Sequence, residues 1–267
     1  MRKIVKKVSV LFFMLIVVQV FAFAQGKNKA GTALERIKSA GVIKVGIEGT
    51  YPPYTFHDAK NNIVGYDVEI AREIAEKIGV KVEFVESSWD SLIAGVDSGR
   101  WDVVINQVGI NPERKKKYDF STPYTYTRGA LVVHSDSTIK SFADLKGKKS
   151  AQTVTSNWAQ VAEKNGAEII GTVSGFNESV RLVESKRADA TINDDVTFYD
   201  YKKTNPKSPT KVVAFATEIT TDGVLLPKKE PKLLQAINQA LKELGDSGKL
   251  SEISNKYFAQ DISIPPK

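Results

Sequence analysis

Apolar and polar positions follow two rhythms along this chain. Val42 to Ile47 is a short apolar run and predicts a strand. From Asp67, placed to cap a helix, the inner positions Ile70, Ala71, Ile74, Ala75 and Ile78 recur at helical spacing, and Gly79 stops them. Lys81 to Val85 alternates as a strand, and a short helix follows from Asp90 to about Ser98, with Gly99 just past its end. Val103, Val104 and Ile105 then read as a buried β-branched strand. The second half repeats the rhythm. It predicts strands over Lys149–Thr153, Glu168–Ile170 and Ala188–Ile192, and helices over Asn157–Lys164 and from Asn177 to about Lys186. A long amphipathic helix from Pro231 to Leu244 carries Leu233, Leu234, Ile237 and Leu241 as its inner stripe. Strands alternating with helices predict an α/β fold with parallel sheets.

The strand at Val103 changes character where it ends. Asn106, Gln107, Gly109, Asn111, Pro112 and Arg114 follow it. A partial echo lies in the second half. "SGRWDVVINQ" starts at Ser98 and "SKRADATIND" at Ser185; aligned from the arginine, Arg, Asp, Ile and Asn coincide. Over so few residues coincidence is one reading. The other is two lobes built on related βαβ units. Ligands of open parallel sheets bind beyond the carboxyl ends of the strands. Those ends carry Asn106-Gln107 in one half and Asn193-Asp194 in the other, so two facing lobes would enclose a polar cleft.

The N-terminus stands apart from these rhythms. Arg2, Lys3, Lys6 and Lys7 precede an almost wholly apolar run from Val8 to Phe23, and Ala22-Phe23-Ala24 presents small residues at the cleavage positions. Residues 1–24 are therefore expected to be a cleavable signal peptide. Its removal takes away four positive and no negative charges, so the net charge falls from +7 to +3. That balance is too mild for a nucleic-acid partner, and no basic stripe with interleaved aromatics accompanies it. The chain has no cysteine, which excludes a disulfide framework and a lipid anchor on an N-terminal cysteine. A soluble, extracytoplasmic protein is expected, periplasmic in a two-membrane cell.

Catalytic constellations are scarce. The two histidines, His57 and His134, lie in no metal-ligand spacing. "GTVSGF" is not a nucleophile elbow, and "KGKKS" lacks the glycine spacing of a phosphate loop. No cofactor or metal is expected. Binding chemistry is better represented. Asn111-Pro112-Glu113 starts a helix that carries Arg114, which either lies on the surface or turns its planar fork into the cleft to grip a carboxylate. Ser156-Asn157 starts another helix, either as an ordinary cap or with free N–H groups for an anion. Asp194 either caps the next helix or holds an ammonium group. Tyr51, Tyr54, Phe56, Trp89 and Trp158 either fill cores or pack on a ligand. Arginine, aspartate and aromatic walls together suit a zwitterionic amino acid.

The motifs "VGIEGTYPPYTF", "IVGYDVEIAREIAEKIGVKVEFV", "WDSLIAGVDSGRWDVV", "NPERKKKYDFSTPY", "SFADLKGKK", "ADATINDD" and "LKELGDSGKLSEISNKYF" occur in order along nearly the whole mature chain. In them the sequence resembles the polar amino-acid solute-binding proteins of ABC importers. "NQVGINPERKKKYDFSTPYTY", "TSNW" and "GKLSEISNKYFAQDIS" are most similar to the cystine-binding branch. The resemblance implies a two-lobed clamshell of the type II periplasmic-binding-protein class. Each lobe is expected to be a mainly parallel sheet flanked by helices, and two crossover strands join them. Lobe 1 is expected over 25–127 and 222–267, lobe 2 over 128–221. By motif, Arg114 takes the ligand α-carboxylate, helped by backbone at Gly109 and Asn157. Asp194 takes the α-ammonium with the Gln107 backbone, Tyr51 and Trp89 sandwich the side chain, and Glu48 is a further polar candidate. Many relatives carry threonine where Gly109 stands, so Asn106 or Ser156 is expected to supply the missing hydroxyl contact.

The resemblance thus implies a monomeric receptor that carries an amino acid, cystine foremost, to a membrane permease without chemical change. The rival from another class is a same-fold secreted enzyme of cyclohexadienyl dehydratase type, for which Glu48 is the candidate general acid.

Overall fold

Two five-stranded sheets, each half parallel and half antiparallel, organise the chain. The protein is described by a computed structural model covering residues 31–171 and 173–266, so the expected signal peptide lies outside the described residues. In chain order the elements are α1 (Ala33–Ala40), β1 (Val42–Ile47), β2 (Thr50–Tyr51), β3 (Thr55–His57), β4 (Ile63–Val64), α2 (Tyr66–Ile78), β5 (Lys81–Glu86), α3 (Trp89–Asp97), β6 (Val103–Val104), α4 (Pro112–Lys117), β7 (Tyr118–Phe120) and β8 (Thr125–His134). The chain continues through β9 (Lys149–Ala151), α5 (Asn157–Lys164), β10 (Glu168–Ile170), α6 (Phe176–Glu184), β11 (Ala190–Asp194), α7 (Asp195–Thr204), β12 (Thr210–Asp222), β13 (Leu225–Pro227), α8 (Pro231–Asp246) and α9 (Lys249–Phe258).

The first sheet has the order β5-β1-β6-β13-β7 and the second β10-β9-β11-β8-β12. The parallel half of each sheet (β5-β1-β6 and β10-β9-β11) is the part that the strand–helix alternation predicts. The antiparallel half is made by β8, which pairs with β11 and β12, and by β13, which pairs with β6 and β7. β8 and β12 pair along nearly their whole length, from Thr210↔His134 to Asp222↔Thr125. Their far ends belong to the second sheet and their near ends lead into β7 and β13 of the first. They therefore form the double connection between the lobes.

The core follows the sequence rhythm closely. The predicted inner face of α2 is buried throughout, packed with Ile237 and Leu241 of α8 under β1 and β6. Leu234 is only half-buried at the edge of that stripe. A separate core under the second sheet gathers Leu131, Val133, Trp158 and Ile192.

One predicted cap is not where the spacing put it. Gly65, not Asp67, precedes α2, at φ 133°, and a Cβ there would stand 2.0 Å from the Tyr54 carbonyl oxygen. The N–H groups of Tyr66 and Asp67 bond to the carbonyls of Pro53 and Tyr54. With the first donors already taken, the Asp67 carboxylate turns inward.

Candidate functional site

A cavity of about 50 Å³ lies at the carboxyl ends of β1, β6, β9 and β11, room for a few water molecules. Both lobes wall it. Of the residues singled out in the sequence, Glu48, Tyr51, Trp89, Gln107, Ser156, Asn157, Trp158 and Asp194 line it, and Tyr54, Phe56, Asn106, Gly109 and Arg114 do not.

Asp194 ends β11 and is 3% exposed. Its Oδ1 accepts from the Thr127 hydroxyl at 2.9 Å, and its Oδ2 accepts from the Tyr54 hydroxyl at 3.3 Å. Burial pushes its pKa up to about 7, the neighbouring Asp195 adds to the rise, and the three hydroxyls of Thr127, Tyr54 and Tyr51 oppose it. Tyr51 reaches across from the other lobe and donates to Asn193 Oδ1 at 2.7 Å.

Glu48 follows β1 and is likewise pushed up to about 7, first by burial and then by Asp90, against its bond with Asn106. Asn106 is fully buried and committed to this carboxylate. Its Nδ2 donates to Glu48 Oε2 at 2.7 Å, and its Oδ1 accepts from the Glu48 N–H and the Thr55 hydroxyl, each at 2.9 Å. Those bonds place it behind Glu48 rather than beside Gly109. Gly109 is packed against Arg114 of its own lobe and Asn157 of the other. A Cβ at 109 would stand 3.4 Å from Asn157 Cγ and 3.3 Å from Arg114 Nη1. Ser156 lines the cavity, and its hydroxyl oxygen accepts from Trp158 N–H at 3.1 Å, capping α5.

Arg114 sits at the start of α4 because Asn111 caps that helix, its side chain accepting from Arg114 N–H at 2.8 Å. The guanidinium donates to the Gly109 carbonyl at 2.9 Å and, across the lobes, to the Thr155 carbonyl at 3.0 Å. It lies 5.4 Å from the Trp89 ring centroid. Burial lowers its pKa to about 10, with Asp222 opposing. Asp90 accepts from both the N–H and the hydroxyl of Thr155 at 3.2 and 2.6 Å, so one residue of lobe 2 is held by two side chains of lobe 1.

Gln107 is in the left-handed region at φ 50°. Its Nε2 donates to Asp67 Oδ1 at 2.7 Å, which fixes the side chain and turns its Oε1 the other way. Burial pushes Asp67 up to about 7, opposed by Gln107 and Tyr124. Strain of this kind concentrates at binding sites. Among the described residues, Trp89 Nε1, Gln107 Oε1 and Asp222 Oδ2 are buried without a hydrogen-bond partner, and all three residues line the cavity. A buried donor, a buried acceptor and a buried carboxylate oxygen thus await complementary groups in one small space.

Sequence reading did not single out Gln152, Ser179 or Asp222, which also line the cavity. Gln152-Thr153 repeats the signal of Asn106-Gln107, a strand turning polar at its carboxyl end, and was findable on that ground. Among the described residues no cluster of histidine, aspartate and glutamate gathers to hold a metal ion, and no helix is long and apolar enough to cross a membrane.

The profile of the bacterial extracellular solute-binding proteins, family 3, matches residues 43–260. The chain belongs to this family. It is 39% identical over 268 residues to the L-cystine-binding protein TcyA of Bacillus subtilis, covering 97% of this chain and 99% of that one. The L-cystine solute receptor of Neisseria gonorrhoeae, solved unliganded and open, is 45% identical and superposes with a TM-score of 0.60, covering 88% of this chain and 100% of its own. An ancestral arginine-binding protein bound to arginine is 37% identical, covers 82% and 98%, and superposes at 0.77. The more identical protein superposes less well, as expected when two rigid lobes stand at different angles. The family is one of type II clamshells, and in this chain the lobes are closed on each other through Tyr51–Asn193, Arg114–Thr155 and Asp90–Thr155.

Proposed function

We propose that the protein is the receptor of an amino-acid ABC importer, that it binds L-cystine between its lobes, and that it presents this ligand unchanged to a membrane permease. The observation that carries the reading is the make-up of the wall. Carboxylates at Glu48 and Asp194 and the N-terminus of α5 face one cavity from both lobes, and the buried guanidinium of Arg114 lies over the lining Trp89 ring. Such a wall matches a ligand with cationic and anionic groups on one carbon. Asp194 receives the α-ammonium and Arg114 the α-carboxylate. Tyr51 and Trp89 flank the rest, and Glu48 suits a second ammonium, which cystine has. The names of the B. subtilis and N. gonorrhoeae relatives support cystine. The N-terminal segment directs export, and the mature protein is a monomer.

A thermal-shift panel under non-reducing conditions tests the assignment. Ligand at 100 times its dissociation constant stabilises a fold by ~2.7 kcal/mol, which for a chain of this size raises Tm by roughly 5–10 °C. Cystine is expected to give the largest shift, and full reduction to abolish it. A larger shift with arginine, glutamine or histidine ends the cystine assignment and leaves the receptor. One observation favours a second reading. Glu48, poised near 7 inside the cavity, has the pKa that suits a general acid. Incubation with a cyclohexadienyl acid and NMR of the products decides it; an unchanged compound excludes this dehydratase activity.

A further inference from the structure

Asp222 has no place in the scheme above. It is the last residue of β12, 2% exposed, at the point where the crossover strand returns to the first lobe. Its backbone is fixed there by pairing with Thr125, by a bridge to Gly109, and by the Tyr124 N–H, which its carbonyl accepts at 3.0 Å. Its side chain lines the cavity, and Oδ2 finds no hydrogen-bond partner among the described residues. A carboxylate in that position is costly unless a cation or a proton meets it. The groups whose fields it shares are Asp194 on β11, Asp67 on α2, Arg114 on α4, and the phenols of Tyr51, Tyr54, Tyr66 and Tyr124. The guanidinium is the only cation among them, and its bonds run to two carbonyl oxygens rather than to Asp222.

We propose that Asp222 is a ligand-binding residue: with Asp194 it forms a carboxylate pair, one member from each side of the cleft, that receives the ligand's ammonium group. The proposal rests on the amino-acid reading. It adds a residue and a consequence. Two like charges facing one cavity resist ionising together, and burial with the charges of Asp194 and Asp67 pushes Asp222 well above the carboxylate range. An ammonium arriving between them lets both ionise, so binding releases a proton to solvent.

The probe is whichever of L-cystine and the standard amino acids gives the wild-type protein its largest thermal shift, paired with its analogue lacking the amino group (3,3′-dithiodipropionate for cystine). Titration calorimetry near pH 7 in phosphate and in Tris gives affinity and proton count together. Wild type is expected to release protons on binding the amino acid. Asp222→Asn and Asp222→Ser are expected to bind it at least about tenfold more weakly and to release fewer protons. Their weak affinity for the des-amino analogue should match that of wild type, and their ligand-free Tm should be unchanged or higher. Two variants guard against one failing to fold. Affinity within twofold of wild type and an unchanged proton count overturn the proposal, as does an equal loss of affinity for both compounds, which would mark a structural role. A wild-type protein that binds no amino acid at all fails the receptor reading itself and takes this assignment with it.

Discussion

The helix–strand unit from Ser98 to Gln107 and the one from Ser185 to Asp194 begin alike and end differently. At the start, the Ser98 hydroxyl closes its helix on the Gly95 carbonyl at 3.1 Å, and the Ser185 hydroxyl does so on the Arg181 carbonyl at 2.9 Å. Asp102 then accepts the Lys44 N–H at 2.8 Å while its own N–H reaches the Lys44 carbonyl at 2.9 Å. Asp189 does the same to Lys149, at 2.8 Å in both bonds. Each aspartate thus pins its strand to the neighbouring parallel strand in one register. At the far end the likeness stops. Asn106 turns into the first lobe and spends its amide on Glu48 and Thr55, whereas Asn193 stays at the cavity and accepts from Tyr51. Arg114 follows one strand at a short distance, and Asp194 ends the other. The shared half of the motif builds the sheet. The divergent half places a guanidinium near one end and a carboxylate at the other, which suits a ligand that carries both signs.

The largest expected effect lies in that opposition. Arg114→Ala removes the one buried guanidinium among the described residues, and truncating one partner of a desolvated charge pair costs ~2–5 kcal/mol. Amino-acid affinity should fall roughly 30-fold or more, and Arg114→Lys should restore little, since it lacks the fork. Calorimetry with both variants checks this; an unchanged affinity removes Arg114 from the site.

Next in size is the pH dependence of the ligand-free fold. Glu48, Asp67 and Asp194 are each raised to about 7 by burial. A carboxyl whose folded pKa lies above its unfolded value binds extra protons when folded. Its stabilising contribution is complete below the unfolded value near 4 and is lost as pH rises through 7. Between pH 8 and pH 6 each group should contribute on the order of 1 kcal/mol toward greater stability. Tm measured across that window should rise on acidification, and Asp194→Asn should flatten the slope. A Tm that falls from pH 8 to pH 6 contradicts the buried-acid description.

Smaller again is the contrast between the two amides. Asn106→Ala strands Glu48 and the Thr55 hydroxyl and should cost ~1–3 kcal/mol in urea denaturation. Asn193→Ala, at a half-buried position, should cost less than half as much and act mainly on binding. Equal losses of stability would erase the distinction between a scaffolding amide and a cavity amide. Smallest, and the control for the shared half, are Asp102→Ala and Asp189→Ala. Each loses one charge-assisted bond at its strand's start and should destabilise by a similar ~1–2 kcal/mol, with ligand affinity unmoved in both.

Much of this was legible in the chain. Strand Val42–Ile47 and helix Asn157–Lys164 stand at their predicted bounds, because apolar period and cap residues coincide there. The echo at Arg100 and Arg187 pointed to the two units before their aspartates were seen to make the same bonds. The predicted cap at Asp67 failed because Gly65 and the Pro53 and Tyr54 carbonyls, met only in the folded loop, had already begun the helix. The service of Asn106 to Glu48 was invisible for a different reason: the partners lie 58 residues apart, just past the ends of adjacent strands. Asp222 closes a long, mostly half-exposed strand with no motif around it, so only burial and an unpartnered oxygen bring it into view.

The grip on Thr155 by Asp90 and Arg114 has a consequence for discrimination. Bonds that run from lobe to lobe contribute the same free energy whatever lies between the lobes. They strengthen the capture of every ligand that permits closure, by the same factor, and leave the ratio between any two ligands untouched. Loosening that grip, as in Asp90→Asn, should shorten the dwell time of good and poor ligands alike. Preference has to be written in the cavity wall, and there a single added or lost charge changes which molecules the closed lobes will hold.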